Sequence, residues 1–429
     1  MEFSFFHRYN IDMKTIIIGA GPAGMSAAIH AAKSGQQVLV LEKNEKAGRK
    51  IFITGKGRCN VTNACHEDKF IANVVNNPKF LFSAIHAFPS KSTIDFFERE
   101  GTPLVIERGN RVFPKSYHAY DIIDTLVNAC LISGAAFRFH TEVKEIKKEV
   151  NGFRLMTNQG ILFCDYLLIA TGGLSYPATG STGDGYRFAQ SLSHTIIDPV
   201  PALTGIKIRE QIPTSLFQYT LRNVSLHVTD GKFHHEEFGE MTFYDGYLDG
   251  PIVITTSSLI NRRKKEDVHL ELDLKPALSE EVLLNRIARE VEQNAKGTVD
   301  DLLKGLLPAP FIFFFKKNVS LNYQRKLDFF SKEERLNLIK GLKRFKLIYD
   351  GLNGFDRAVV TSGGVSVLEL NPKTMESKRV PNLFFAGEVM DVDAFTGGFN
   401  IQIALSTGAL AGECIRQRLE DSVSERKEE

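Results

Sequence analysis

Blocks of apolar and small residues near the start of the chain predict two strands joined by one helix. An apolar run at 16–18 leads into a glycine-rich turn, and small residues from Ala27 to Lys33 predict a helix that ends at Gly35. A second apolar run at 38–41 ends at Glu42. This order predicts a complete strand–turn–helix–strand unit.

Apolar spacing predicts further elements on both sides of a long insertion. One apolar face predicts a helix at 121–131, and small residues predict a last helix at 401–414. Strands are predicted at 137–146, 153–157, 162–170, 358–361, 365–370 and 383–388. The first domain is therefore predicted to be discontinuous and to be completed by the C-terminal segment.

The insertion itself has a different pattern, in which short alternating segments come first and helical segments follow. Strands are predicted at 205–208, 224–228, 241–244, 251–255 and 268–272. Ser279 and Ser331 each stand before a helical pattern as N-cap residues. The predicted boundaries are 13–195 and 353–420 for the two parts of the first domain, 196–275 and 343–352 for the β domain, and 276–342 for the helical subdomain.

Composition excludes several classes of protein. The 429 residues carry 53 basic and 51 acidic side chains without a long basic block, so we expect no nucleic-acid partner. The 5 cysteines lack metal-ligand spacing and the histidines form no cluster, which predicts a reduced, cytoplasmic protein without a metal. No apolar run is long enough to span a membrane, and residues 1–12 do not have the pattern of a signal peptide.

The glycines of the first turn form the pattern Gly-x-Gly-x-x-Gly, which predicts dinucleotide binding. Gly19 permits the tight turn, Gly21 leaves room for a pyrophosphate, and Gly24 allows the helix to pack closely on the strand. The helix N-terminus attracts phosphate, and Glu42 can accept hydrogen bonds from ribose hydroxyls. The alternative is a unit in which these glycines serve packing alone.

Two later strand ends are predicted to reach the same ligand. Ala170–Gly173 follows a fully apolar strand, and Phe385–Glu388 ends another. The helix that opens at Asn400 would point its positive end at the ligand. Three such segments suit an extended FAD better than a dissociable nicotinamide nucleotide.

Several motifs of this chain together resemble those of one known protein family. The chain resembles the BaiN/YhiN-like family of FAD-dependent oxidoreductases, within the glutathione-reductase-like flavoprotein superfamily. The matching segments are 48–51, 54–63, 111–114, 170–177, 374–378, 385–388 and 397–402. The resemblance implies an α/β fold with a discontinuous Rossmann-like FAD-binding domain, an inserted β-barrel-like domain and a small helical domain. The chain departs from the family pattern within 241–251, which puts the identity of the substrate in doubt.

The patterns and the resemblance together assign a set of residues to non-covalent FAD binding. These are Gly19, Ala20, Gly21, Pro22, Ala23, Gly24, Glu42, Lys43, Arg49, Lys50, Thr54, Gly55, Lys56, Gly57, Arg58, Cys59, Asn60, Val143, Ala170, Thr171, Gly172, Gly173, Gly387, Glu388, Asn400, Ile401 and Gln402. The alternative for the segment 54–63 is a solvated basic loop. Cys59 has no partner at the spacing of a redox disulfide.

The predicted activity is hydride transfer at flavin N5 to or from a small organic substrate. The chain has no second glycine fingerprint for a dedicated NAD(P)H domain. We therefore expect a reductase to which NAD(P)H binds only transiently as the electron donor. Tyr176 and Asn400 are the candidates for the chemical step. An H2O2-producing amine oxidase is the alternative enzyme. A non-catalytic or tRNA-modifying flavoprotein is the alternative of another class.

Overall fold

The computed structural model describes residues 12–32, 37–55 and 57–428, without the side chains of 12–13 and 422–428. The predicted helix end at Lys33 to Gly35, most of the first twelve residues, and Lys56 lie outside this part. The strands are β1 (Asp12–Ile18), β2 (Val38–Leu41), β3 (Thr62–Asn63), β4 (Val74–Asn76), β5 (Leu104–Glu107), β6 (Arg111–Pro114), β7 (Ala136–Arg138), β8 (Val143–Glu149), β9 (Gly152–Thr157), β10 (Gly160–Ile169), β11 (Ile196–Ala202), β12 (Ile206–Ile208), β13 (Thr220–Asp230), β14 (Phe233–Tyr244), β15 (Tyr247–Asp249), β16 (His269–Asp273), β17 (Phe345–Leu347), β18 (Tyr349–Leu352), β19 (Val360–Val365), β20 (Leu383–Phe385) and β21 (Asp393–Ala394).

The α-helices, which alternate with these strands, are numbered in chain order. They are α1 (Pro22–Ala31), α2 (Arg49–Ile53), α3 (Glu67–Ile71), α4 (Phe82–Ala87), α5 (Ser90–Arg99), α6 (Ala119–Ile132), α7 (Asp184–Ser191), α8 (Pro251–Ile260), α9 (Glu280–Gln293), α10 (Val299–Leu306), α11 (Ala309–Asn318), α12 (Lys332–Lys343) and α13 (Phe399–Glu428). The chain divides into two compact units, of which the second is 201–358 and the first is the rest.

The first unit contains the main sheet, with a parallel centre and an antiparallel edge. The strand order is β7–β2–β1–β10–β9–β8, and β20 pairs in parallel with the last residues of β10. Strands β7, β2, β1 and β10 are parallel to one another. Their carboxyl ends therefore meet at one edge, where ligands bind in open α/β sheets. The predicted Rossmann-like α/β fold is confirmed.

Helix α1 packs against α13 at very short range, which holds the last helix beside the glycine-rich turn. A Cβ added at Gly408 would lie 2.2 Å from the Ala23 carbonyl oxygen, and one at Gly412 would lie 2.3 Å from that of Ala27. The Ser26 hydroxyl donates to the Leu405 carbonyl at 2.7 Å. Small residues on both helices thus let the two backbones approach.

The second unit has its own antiparallel sheet and its own core. The strand order is β17–β16–β13–β14–β15–β12–β18, and no pairing in the described part of the chain joins the two ends. The sheet is thus open rather than a closed barrel. Phe243, Phe311, Phe314 and Phe345 form a buried aromatic cluster in this core.

Four predicted strands differ in the structure. The segment predicted as a strand at 251–255 is the start of α8, because a short apolar run fits a buried helix equally well and Pro251 suits a first helical turn. The predicted strand at 137–146 divides into β7 and β8, since His140 has a φ of 52° that interrupts the extended backbone. Of the strand predicted at 365–370, only Val365 lies in a strand, as the last residue of β19, and residues 367–369 form a 3-10 turn. The strand predicted at 383–388 ends at Phe385 and is followed by a 3-10 turn at 387–389.

Candidate functional site

A cavity lies at the carboxyl ends of the parallel strands of the first unit. It encloses about 1250 Å³ of space, open solvent at its mouth included. The residues that follow β1, β2, β10 and β20 all line it, and so does the start of α13. The lining extends from the glycine-rich turn to the ends of β10 and β20, which suits an extended ligand.

The three glycines of the first turn have different surroundings. A Cβ at Gly19, whose φ is +107°, would lie 2.5 Å from the Ala170 carbonyl oxygen, and one at Gly24 would lie 1.9 Å from the Gly19 oxygen. A Cβ at Gly21 would meet nothing within 4 Å. Gly19 and Gly24 are thus required by the packing, whereas Gly21 leaves space on the side of the cavity.

Helix α1 presents an uncapped N-terminus to this cavity. Gly21 is its N-cap residue and provides no side-chain cap, and Gly21, Pro22 and Ala23 line the cavity. The first N–H groups of a helix carry partial positive charge, which favours an anion such as a pyrophosphate. The buried hydroxyl of Thr171, also in the lining, has no hydrogen-bond partner in the structure.

The Glu42 carboxylate lies at the end of β2 and connects it to the glycine-rich turn. It accepts a hydrogen bond from the Ala20 backbone N–H at 3.0 Å. It also accepts from the Asn44 backbone N–H at 2.9 Å and from Asn44 Nδ2 at 2.7 Å. These bonds fix the orientation of the carboxylate, which still has lone pairs for ribose hydroxyls.

A hydrogen-bonded ion pair forms another part of the cavity wall. Lys50 Nζ lies 2.6 Å from Glu388 Oε2 and donates to Ser175 Oγ at 2.5 Å. Glu388 Oε1 accepts from Ser175 Oγ at 2.7 Å and from the Thr361 backbone N–H at 2.9 Å. Burial raises the pKa of Glu388, but Lys50 and these hydrogen bonds outweigh it and hold the pKa below its ordinary value. Glu388 is therefore an anion at neutral pH.

These observations together fit a dinucleotide. The free space beside Gly21 and the N-terminus of α1, which has no side-chain cap, suit a pyrophosphate. The Glu42 carboxylate suits the hydroxyl groups of a ribose. The ends of β10 and β20 extend the same cavity beyond the part that those groups would fill. The residues present therefore fit FAD.

The structure brings most of the predicted cofactor residues together around the cavity. Those in its lining are Gly19, Ala20, Gly21, Pro22, Ala23, Glu42, Lys43, Arg49, Lys50, Thr54, Val143, Ala170, Thr171, Gly172, Gly387, Glu388, Asn400 and Ile401. Gly24, Gly57, Cys59, Gly173 and Gln402 are not in the lining. Cys59 and Gln402 are buried, and a Cβ at Gly173 would lie 2.4 Å from Thr361 Oγ1. Gly55, Arg58 and Asn60 line a separate cavity.

The two predicted catalytic residues have different surroundings. The Asn400 amide holds the preceding loop, because its Oδ1 accepts from the Ala394 backbone N–H at 3.0 Å and its Nδ2 donates to the Ala394 oxygen at 2.8 Å. Tyr176 is not in the lining of the first cavity and has a φ of 51°. A chemical role for either residue stays a prediction.

Several lining residues were not predicted from the sequence. They are Asn44, Lys46, Thr141, Glu142, Thr179, Gly180, Ser181, Asp184 and Ala404. The pair between Lys43 and Asp184, 2.6 Å apart, connects the end of β2 to α7, which follows the segment 179–181. The proximity of Asn44 to Glu42 in sequence was the one available clue.

The described residues contain neither a candidate metal site nor a candidate membrane-spanning helix. No group of three or more His, Cys, Asp or Glu in this part of the chain has an arrangement that would hold a metal ion. No described helix combines the length and the apolar character needed to cross a membrane.

The amino-acid sequence of this chain is similar to those of known proteins over nearly its whole length. Residues 13–414 match the HI0933-like protein Rossmann domain. The ribosomal RNA dihydrouridine synthase of Escherichia coli (strain K12) is 31% identical over 402 residues, covering 91% of this chain and 95% of that protein. The 3-dehydro-bile acid delta(4,6)-reductase of Clostridium scindens is 29% identical over 411 residues, covering 94% of this chain and 98% of that protein.

A solved structure shows a more distant likeness. The 3-ketosteroid-delta4-(5alpha)-dehydrogenase of Rhodococcus jostii RHA1 has a TM-score of 0.49 at 13% identity, covering 96% of this chain and 98% of that chain. The sequence matches carry the assignment instead, because they extend over nearly the whole length of the chains. The chain therefore belongs to the HI0933-like family, which confirms its resemblance to the BaiN/YhiN-like FAD-dependent oxidoreductases.

Proposed function

We propose that this protein is an NAD(P)H-linked, FAD-dependent reductase of a carbon–carbon double bond conjugated to a carbonyl group. The observation that carries the proposal is the cavity at the strand ends. Gly21 leaves free space in this cavity, and the N-terminus of α1 has no side-chain cap there. The names of the two full-length relatives support the kind of reaction, since both describe saturation of a carbon–carbon double bond.

In this proposal the cavity holds FAD along its length. The start of α1 binds the pyrophosphate, Glu42 binds a ribose, and the ends of β10 and β20 surround the remaining part of the cofactor. When bound, FAD supplies two-electron hydride chemistry. Lys50, held by Glu388 and Ser175, would form part of the wall beside the cofactor.

Cysteine chemistry has no support among the described residues. The five cysteines are all free. Burial raises the pKa of Cys59 to about 12, so its thiol stays protonated and is a poor nucleophile near neutral pH. A disulfide relay of the kind used by thiol reductases therefore does not fit this chain.

A second candidate is reduction of a uridine in RNA. It rests on the name of the Escherichia coli relative, which describes that substrate class. The reduction of the double bond would be the same in both candidates. They differ in whether this bond belongs to a small organic molecule or to a uridine base of RNA. The amine oxidase alternative has no such observation in its favour.

Anaerobic half-reactions distinguish these functions. The holoenzyme is mixed with NADH or NADPH, and loss of the flavin absorbance near its visible maximum reports reduction. The reduced protein is then mixed with a cyclic enone, with a uridine-containing RNA, or with oxygen. Rapid reoxidation by the enone supports the proposal, and reoxidation by RNA alone supports the second candidate. Reduction by an amine, followed by H2O2 formation with oxygen, would contradict both.

A further inference from the structure

A second cavity lies in the first unit, next to the proposed FAD cavity. It encloses about 910 Å³ of space, open solvent at its mouth included. Thr54 lines the first cavity and Gly55 the second, and likewise Asn400 lines the first and Phe399 the second. The two cavities are thus neighbours along the backbone at two separate places. Anything bound in the second cavity would lie close to the first.

The lining of the second cavity carries positive charge. Arg58, Lys69 and Arg111 contribute to it, and no Asp or Glu does so among the described residues. The acidic partner of both arginines is Glu107, whose carboxylate oxygens lie 3.5 Å from Arg58 Nη1 and 3.5 Å from Arg111 Nη2. Arg111 Nε also donates to the Arg108 carbonyl oxygen at 3.1 Å. One carboxylate therefore faces two guanidinium groups across long contacts. Most of their N–H donors stay available to a ligand, since each guanidinium has five.

Aromatic rings hold the Arg58 guanidinium in place. Its Cζ lies 4.7 Å from the centroid of the Phe113 ring and 5.5 Å from that of Tyr117. Phe113 is buried on β6, the strand that also carries Arg111. The cationic group is thus fixed before a ligand arrives, which lowers the entropy lost on binding.

Amide groups complete the wall between the arginines and α13. Asn63 Nδ2 donates to the Gly109 oxygen at 3.1 Å and to the Gly397 oxygen at 3.0 Å, which fixes the two sides of the cavity. Asn60 Oδ1 is buried and has no hydrogen-bond partner in the structure. A buried acceptor without a partner costs free energy, and a ligand hydroxyl or N–H would satisfy it.

We infer that the second cavity binds the acidic group of the substrate, a carboxylate or a phosphate, through Arg58 and Arg111. Charge-assisted and bidentate hydrogen bonds from guanidinium groups recognise such oxygen anions. The substrate is then an acid that carries its reactive double bond into the first cavity. Arg58 and Asn60, predicted from the sequence to bind FAD, are reassigned to the substrate. The inference rests on the proposed function for the reaction, but binding of an anion can be measured without turnover.

The test measures anion binding to the FAD-loaded protein by calorimetry. Inorganic phosphate and succinate are the two probes, and the one that binds identifies the preferred anion. The double variant Arg58→Gln, Arg111→Gln is expected to weaken that binding by about tenfold or more, because it removes the charge-assisted donors. Arg58→Lys keeps a positive charge but loses the bidentate geometry, so its affinity for the anion is expected to lie between those of the wild-type protein and the double variant.

The matched control is Arg99→Gln, a change at an exposed arginine of α5. Flavin content, measured from the visible absorbance, is expected to be the same in all variants. Failure of the wild-type protein to bind either probe would overturn the inference, and so would unchanged binding in the double variant. A protein that binds the probes but cannot be reduced by NAD(P)H would contradict the proposed function and leave the anion site intact.

Discussion

Lys50 Nζ lies 2.6 Å from Glu388 Oε2, which joins the first turn of α2 to the residues directly after β20. The two residues are 338 positions apart in the chain. Their side chains are 23% and 20% exposed, so the pair is shielded from water on most sides. Both residues line the proposed FAD cavity. This contact connects the two separate parts of the first unit within the site itself.

Loss of the lysine charge is expected to destabilise the protein. Lys50→Met leaves the Glu388 carboxylate partly buried without its cation, at a cost of roughly 1–3 kcal/mol, between the values for exposed and buried pairs. Urea unfolding near neutral pH measures the change. Lys91→Met, at an exposed lysine of α5, is the control. Equal stability of Lys50→Met and the wild type would contradict this account of the pair.

The same pair predicts a pH dependence. The folded-state pKa of Glu388 is lowered, so its contribution to stability is fully present above the unfolded pKa of a glutamate. That contribution is lost as the pH falls through the lowered folded pKa. The difference in unfolding free energy between wild type and Lys50→Met is therefore expected to shrink in acid. A difference that stays constant across the acid range would argue against a charged Glu388.

Gly21 and Gly24 are expected to respond differently to substitution. Gly21→Val has open space for its side chain and an extended backbone with φ −84°, so the fold persists while phosphate approach is blocked. FAD affinity is expected to fall by at least about tenfold. Gly24→Ala instead forces a Cβ to within 1.9 Å of the Gly19 oxygen and destabilises the fold. Melting temperature and flavin content, measured side by side, check both outcomes; retained FAD in Gly21→Val would sink the assignment.

Glu42→Ala is expected to weaken FAD binding more than it weakens the fold. A hydrogen bond to a charged group contributes about 1.5–3 kcal/mol, so FAD affinity is expected to fall by roughly tenfold or more. Titration of the flavin-free protein with FAD measures the affinity. Glu45→Ala, whose carboxylate is 52% exposed, is the matched control. Identical FAD affinities of the two variants would contradict the role of Glu42.

Cys59→Ala is expected to leave reduction of the flavin by NAD(P)H unchanged. Burial raises the pKa of this thiol to about 12, so no reactive thiolate forms near neutral pH. Stopped-flow reduction of wild type and variant, each corrected for its flavin content, provides the comparison. A large loss of the reduction rate per bound flavin would show that the thiol takes part in electron transfer.

The elements around the glycine-rich turn could be predicted from the sequence, because their physical requirements lie within one short segment. The strand, the glycine-rich turn and Glu42 follow one another within thirty residues, and each has a spacing that only a few structures satisfy. Ser331 was predicted as an N-cap residue for the same reason, and it forms a capping box with Glu334 at the start of α12. Local hydrogen bonds can be inferred without knowing the rest of the fold.

Features that depend on distant segments were not predictable in the same way. The Lys50–Glu388 pair requires α2 and the end of β20 to meet, and no spacing in the sequence records that contact. Arg58 and Arg111 come together because β6 pairs with β3 just after the loop that holds Arg58. The helix at 251–260 was missed because burial on several sides, rather than periodicity, decides its conformation.

Flavin content of the purified protein tests the central claim most directly. The visible spectrum is recorded, the protein is precipitated with acid, and the released cofactor is identified by mass spectrometry. The account predicts a yellow protein that releases intact FAD in an amount equimolar with the chain, and a Gly21→Val variant that is folded but nearly colourless. A wild-type protein that is folded, colourless and unable to take up added FAD would contradict it.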